Sequence, residues 1–243
     1  MVRGFYCLGS GMLTQSRVLD AVSNNMANLN TPGFKKERVT QTSFGALLIN
    51  RMGDSPAPIG GVSVISLPDE STATFSEGTL ENTGRVTDFA IEGNGFFGLQ
   101  TANGPVYTRN GSFRLDQDGY LALGNQGRVL GPNGPIYLGT DDFTADDEGN
   151  LYIGGFYADR LAVFDFDDYL GVRPSGDGIY TGAGAAMADR SQIAWKTIEG
   201  SNVDAAGQMA EAMAAQRSLQ SCSQALKMYD QVLSKAASEI ARI

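Results

Sequence analysis

Two stretches at opposite ends of this chain constrain everything between them. From Leu219 onward, apolar residues fall at Leu219, Cys222, Leu226, Tyr229, Leu233, Ala236 and Ile240, in alternating steps of three and four. That spacing is the seam of a helix packed along another helix. Upstream, Val203, Ala206, Ala210 and Met213 form a second stripe out of phase by about one residue, so the expected contact face drifts around the helix. Only Gly207 interrupts residues 202–243, which as a helix would extend on the order of 60 Å. A helix of that length needs a long partner, and the other end of the chain supplies one. Phe5, Leu8, Met12, Leu19, Val22, Met26 and Leu29 repeat the alternation with one polar lapse, Gln15. This first helix is predicted to stop at Asn30-Thr31-Pro32-Gly33, because Pro disfavours helical geometry in the residue before it. The seams are unequal in length and no third helix covers them. Pairing of the two therefore leaves apolar surface for other subunits.

Charge is split unevenly along the chain. Residues 1–40 carry five basic and two acidic side chains, 41–200 nine and twenty-one, and 201–243 four and four. The acidity sits in the middle, which argues against nucleic acid as a partner. The apolar runs are too short to span a bilayer, so membrane insertion is not expected. Met1-Val2-Arg3-Gly4-Phe5 lacks the apolar core and cleavage site of a secretory signal, so ordinary secretory export is not expected. Two cysteines, Cys7 and Cys222, lie in the two terminal helices. They read as buried or half-buried thiols, with a disulfide tying the ends as the other reading.

Between the helices the style changes. Residues 34–85 read as an extended connector: a basic patch at Phe34-Lys35-Lys36-Glu37-Arg38, an apolar run at 44–49, a loop rich in Gly and Pro at 53–61, and a strand at 62–67. A connector this long is expected to lie on a neighbour. Residues 86–199 read as a β-rich domain of short strands separated by Gly, Asn and Asp clusters. Ala102-Asn103-Gly104 and Asp116-Gln117-Asp118-Gly119 each mark a hairpin. A weak internal repeat aligns Phe113, Asp116, Asp118, Gly119 and Leu121 with Phe143, Asp146, Glu148, Gly149 and Leu151. The expected fold is therefore α+β. Residues 1–33 and 200–243 form one discontinuous, coiled-coil-like domain of terminal helices, and a mainly antiparallel β domain is inserted between them.

Signs of chemistry are sparse. The chain contains no histidine, which removes Ser-His and Cys-His pairs and His-based metal sites together. The cysteines have no zinc spacing. The two Asp-rich repeats resemble the start of a calcium loop, but the twelfth positions are Gly127 and Tyr157 rather than Glu. They read as turns, and no metal or cofactor is expected. Adjacent carboxylates such as Asp167-Asp168 read as solvated surface rather than as a glycosidase pair.

Three patches carry a family resemblance. Leu19-Asp20-Ala21-Val22-Ser23-Asn24-Asn25-Met26-Ala27-Asn28-Leu29-Asn30-Thr31-Pro32-Gly33-Phe34-Lys35 resembles the N-terminal signature of the bacterial flagellar basal-body rod and hook proteins. Asp88-Phe89-Ala90-Ile91-Glu92-Gly93-Asn94-Gly95-Phe96-Phe97, with Tyr107-Thr108-Arg109-Asn110-Gly111-Ser112-Phe113, is similar to the second signature. Glu199-Gly200-Ser201-Asn202-Val203-Asp204, then Met209, Ala215-Gln216-Arg217 and Asp230-Gln231-Val232-Leu233, is similar to the third. The resemblance implies a structural, non-enzymatic subunit of the periplasm-crossing rod of the basal body. Its terminal helices would line the export channel against copies of itself and neighbouring rod proteins. Its export would run through the flagellar type III apparatus without a cleaved signal.

The chain is much too short for a typical hook subunit, and its stretch 44–62 is brief beside the connector of the distal-rod branch. The proximal-rod (F-type) branch is expected, with the distal-rod (G-type) branch as the alternative. An enzyme, for instance a carbohydrate-active β protein with helical extensions, is the competing class. The expected interface comprises Phe5, Leu8, Met12, Leu19, Val22, Asn24, Asn25, Met26, Asn28, Leu29, Asn30, Pro32, Gly33 and Phe34 in the first segment. In the last it comprises Val203, Met213, Leu219, Leu226, Tyr229, Leu233 and Ile240. For Asn24, Asn25, Asn28 and Asn30 two readings stay open: a frayed, capped helix end, or amides that bond across to neighbouring backbone and fix register.

Overall fold

A computed structural model describes residues 2–43, 47–50, 58–62, 66–176, 178–188 and 192–240. The chain divides into two compact units. One comprises Met1–Met26, Glu37–Ser71 and Ala205–Ile243, the other Ala27–Lys36 and Thr72–Asp204. Both ends of the chain thus return to one unit, with a β-rich unit inserted, in an α+β fold. The sequence reading ended the first helical segment at 33 and resumed it at 200, whereas the units divide after Met26 and after Asp204. Leu29, Asn30, Pro32, Gly33, Phe34 and Val203 therefore belong with the β-rich unit.

In the helical unit, α1 spans Val2–Ala27 and α2 spans Ala205–Ile240. At 1.5 Å per residue these are roughly 39 and 54 Å long, so α2 is the longer by about 15 Å. Their pairing is antiparallel and in step. A Cβ placed on Gly4 would lie 2.9 Å from the Tyr229 hydroxyl, and one on Gly11 would lie 4.0 Å from Cys222 Sγ. The Asn25 amide bonds to Gln208 at 2.8 Å. Moving seven residues along α1, from Gly4 to Gly11, moves seven back along α2. Moving fourteen further, to Asn25, moves fourteen back to Gln208. The register is therefore set in whole heptads.

This seam differs from the expected one. On α2 the inward face keeps one phase through Gln208, Ala215, Cys222 and Tyr229, and does not drift. Of the expected upstream stripe, Ala206, Ala210 and Met213 are exposed. On α1 the inward residues include Gly4, Gly11 and Asn25, each one position before the expected Phe5, Met12 and Met26. Cys222 and Tyr229 belong to the expected seam; what a count of apolar residues passes over is a glycine or an amide on the inward face, as at Gly4, Gly11, Asn25 and Gln208.

The rest of this unit is strand where it is described. Glu37–Ser43 pairs with Ser66–Ala73, and Leu47–Asn50 pairs antiparallel with Pro58–Val62. The expected extended connector 34–85 is therefore largely paired backbone. Residues 44–46 of the expected apolar run, and 63–65 of the expected strand, lie outside the described residues.

The β-rich unit centres on Phe96–Thr101. One edge of this strand pairs antiparallel with Gly104–Thr108; the other pairs with Val163–Phe166 near its start and Gly127–Gly131 near its end. The sheet continues through Ile179–Thr181 on one side and through Leu121–Leu123 and Arg114–Leu115 on the other. Successive side chains of a strand point to opposite faces. Phe97 and Leu99 accordingly enter a core with Phe89, Phe113, Leu121 and Leu151, while Phe96 enters a second with Tyr107, Phe166 and Tyr180. Both faces are covered, so the strand reads as a continuous apolar run.

The two repeats are the same turn. Asp116 Oδ1 accepts the N–H groups of Asp118 (3.0 Å) and Tyr120 (2.8 Å). Asp146 Oδ1 accepts those of Glu148 (3.0 Å) and Asn150 (2.8 Å). The second oxygens take Arg128 Nε at 2.7 Å and Asn150 Nδ2 at 2.8 Å, respectively. The carboxylates that resembled calcium ligands are occupied in bracing hairpins.

Candidate functional site

Asn25 stands in the last turn of α1 and is 1 % exposed. Its Nδ2 donates to the Glu37 carbonyl and to Gln208 Oε1, each at 2.8 Å, and its Oδ1 accepts the Glu37 N–H at 2.9 Å. Towards Glu37 the amide thus acts as a strand partner would, exchanging both backbone bonds. Gln208, also 1 % exposed, donates in turn to Glu211 at 3.2 Å. Of the two readings of the asparagines, the bond across to neighbouring backbone holds at Asn25. Asn24 and Asn30 are exposed and Asn28 is half-buried. Thr31 Oγ1 donates to Asn28 Oδ1 at 3.0 Å, and the Thr31 N–H to the Asn28 carbonyl at 3.2 Å, a local turn that ends the helix.

The expected interface residues divide by exposure. Val22 is buried; Leu8, Met12, Leu19, Met26, Leu29, Leu219 and Leu226 are half-buried. Phe5 (56 %), Met213, Tyr229 and Leu233 are exposed, and so are Tyr6, Leu13, Met228 and Val232. Ile240 ends α2. Cys7 is exposed and Cys222 half-buried, both as thiols.

A second buried polar group lies in the β-rich unit, where the chain enters and leaves it. Gly33 has φ of +69°, and a Cβ there would sit 2.3 Å from the Arg109 carbonyl carbon, so only glycine fits. Its N–H donates to the Glu199 carbonyl at 2.7 Å, while Asn202 Oδ1 accepts the Lys36 N–H at 2.6 Å. Beneath these, the buried Glu199 carboxylate holds two buried cations. Lys35 Nζ lies 2.5 Å from Oε1, and Arg109 Nη1 lies 3.4 Å from Oε2. Gly78 N–H donates to Oε1 at 2.8 Å; Lys35 donates also to the Ser76 carbonyl and Arg109 to that of Gly93. Burial lowers the Lys35 pKa below its ordinary value, with Arg109 adding to the effect and Glu199 opposing it.

Sequence reasoning quoted Lys35, Arg109 and Glu199 but gave them no role. Lys35 stands in a run of charges and Arg109 in a polar run, so nothing local marks either as buried. Gln208 carried no signal of its own; only the heptad step from Tyr229 through Cys222 and Ala215 leads to it.

The architecture is that of a discontinuous α+β protein whose two ends build one helical unit bearing outward apolar side chains. Residues 5–35 match the family described as flagella basal body rod protein. Residues 90–153 match the flagellar hook protein FlgE/F/G D1 domain, and 196–239 the flagellar basal body rod FlgEFG protein C-terminal region. Over 270 aligned positions the chain is 27 % identical to the flagellar hook-basal body complex protein FlhO of Bacillus subtilis, covering the whole of both. It is 39 % identical over 135 residues to the flagellar basal-body rod protein FlgG of the same organism, covering 54 % of this chain and 51 % of that one. It is 36 % identical over 130 residues to the flagellar hook protein FlgE of Borreliella burgdorferi, covering 50 % of this chain and 28 % of that one. The chain belongs to the flagellar basal-body rod and hook protein family. That family consists of structural components rather than enzymes, and its members form rod and hook polymers with other rod proteins. Each matched segment contributes one member of the buried charged cluster: Lys35, Arg109 and Glu199 in turn.

Proposed function

We propose that this chain is a structural subunit of the flagellar basal-body rod. It stacks helically with copies of itself and with neighbouring rod proteins to form the drive shaft and export channel across the periplasm, and it travels through the flagellar type III export apparatus. The observation that carries this reading is the apolar surface left on both helices after they pair: Phe5, Tyr6 and Leu13 on α1, and Met213, Met228 and Val232 on α2. Apolar rows of that extent on a helical pair mark a surface for partners. Rod is favoured over hook by the extent of the likeness: FlhO is matched from end to end and the FlgG of Agrobacterium fabrum over 97 % of its length, the hook protein over 28 % of its own. Within the rod, the brevity of 44–62 supports the proximal position, and the likeness to FlgG supports the distal one.

The test is Leu226→Asp, which puts a charge on the half-buried face of α2. The variant is expected to be absent from purified basal bodies and to abolish motility, while circular dichroism shows an intact β-rich unit. Motile cells whose rods contain the variant would sink the assembly reading. Electron microscopy of a tagged chain along the rod separates the proximal from the distal position.

A further inference from the structure

We propose that Asn25 and Gln208 are the specificity-determining pair that sets the register of α1 against α2, and that what they exclude is a pairing shifted by one heptad. The seam presents four rungs, each a heptad from the next: Gly4 with Tyr229, Gly11 with Cys222, Val18 with Ala215, and Asn25 with Gln208. Contacts define the first, second and fourth, and the seven-residue step places the third. Three rungs are apolar or small, and they tolerate displacement. Sliding α2 by one heptad sets Tyr229 against Gly11, another glycine with the room Gly4 gives, and sets Cys222 against Val18. Nothing in the apolar rungs forbids that arrangement.

The amide rung does forbid it. In the shifted pairing Asn25 meets Ala215, which has no side-chain acceptor, and Gln208 passes the end of α1. A buried Nδ2–H and a buried amide then lose the 2.8 Å bond that joins them. The opposite slide carries Asn25 beyond Ala205, where α2 begins. Asn25 is also fastened to the Glu37 backbone on both sides, so it cannot follow Gln208 by swinging away from the seam. A polar pair among rungs that are otherwise apolar or small is the arrangement by which coiled coils select register, and the other buried polar side chain of α1, Thr14, bonds within its own helix to the Ser10 carbonyl at 2.9 Å. The inference concerns pairing within one chain and stands whether or not that chain builds a rod, so its failure and that of the assembly reading are observed separately.

Disulfide trapping in the full chain reads the register directly. With Cys7→Ser, Cys222 is the remaining native thiol. Gly11→Cys then reports the observed register and Val18→Cys the shifted one, each as an intrachain link in the monomer. With Asn25 and Gln208 intact, oxidation is expected to link position 11 and leave position 18 unlinked. With Asn25→Leu and Gln208→Leu, the link at 11 is expected to fall and a link at 18 to appear, as a second register becomes populated. A second variant guards against simple loss of pairing: Gln208→Ala with Ala215→Gln moves the acceptor by one heptad and keeps helix-favouring residues. It is expected to move the link from 11 to 18. Retention of the link at 11 in the transplanted variant, or an unchanged pattern with both leucines, overturns the proposal.

Discussion

The helical unit and the β-rich unit each bury a polar cluster, and the two clusters are built from opposite chemistry. In the helical unit the buried groups are neutral amides, Asn25 and Gln208, tied to one strand backbone. In the β-rich unit they are full charges, Lys35, Arg109 and Glu199, with two cations sharing one carboxylate. A neutral amide gives up a modest free energy when it opens to water. A buried charge that loses its partner is costly, because nothing in the surroundings replaces its solvation. The amide cluster is therefore the less costly of the two to open, while the charged cluster ties together the segments by which the chain enters and leaves the β-rich unit. Register in the first is chosen by a few bonds; closure in the second is enforced by charge.

The sharpest way to break this comparison is Glu199→Gln. It leaves Lys35 and Arg109 buried without the carboxylate they share, the nearby Glu77 being exposed, and should cost the β-rich unit roughly 3–5 kcal/mol. The single tryptophan, Trp195, reports on that unit, since its indole N–H donates to the Val86 carbonyl at 2.8 Å. The urea midpoint followed by Trp195 fluorescence should fall steeply. Lys35→Met should lower it less, because the carboxylate keeps Arg109 and the Gly78 N–H. Equal losses from the two substitutions would mean that the cluster does not act as a charge-balanced group.

Asn25→Ala probes the other side of the comparison. It removes three hydrogen bonds at a buried position and should destabilise the helical unit by about 1–3 kcal/mol. Amide exchange along α1 and α2 should accelerate while the Trp195 transition stays in place. A shift of both together would show that the two clusters stabilise one cooperative fold rather than two units of different character.

How far each unit could be read from the sequence follows the same division. The two helices were visible because periodicity is a local signal, although the first ends at Ala27, three residues before the expected stop at Asn30, where the Asn28–Thr31 turn takes over. The hairpins around Asn103-Gly104 and Asp116-Gln117-Asp118-Gly119, and their echo at Asp146, were visible for the same reason. On α1 the expected Val22 is buried and Leu8, Met12, Leu19 and Met26 are half-buried, but Gly4 and Gly11, which meet Tyr229 and Cys222, carry no apolar bulk to count. Asn25 was marked as unusual, but its partner Gln208 lies 183 residues away and looks like an ordinary surface residue of α2. The charged cluster was out of reach in the same way: Lys35 and Glu199 are 164 positions apart, and spacing along a chain carries no information about which charges are buried together.

The smallest expected effect comes from acid. Asp116 and Asp146 are half-buried; that desolvation alone would raise their carboxyl pKa values, but the hydrogen bonds of their turns, with the Arg128 pairing at Asp116, outweigh it and hold both below the ordinary carboxylate value. A carboxyl whose folded pKa is depressed adds stability that is complete above the unfolded value, near 3.9, and is lost as pH falls through the folded one. The Trp195 urea midpoint should therefore decline on going from pH 5 to about pH 3, by an amount that shrinks in high salt because both groups are partly solvated. Asp116→Asn with Asp146→Asn should remove that part of the decline.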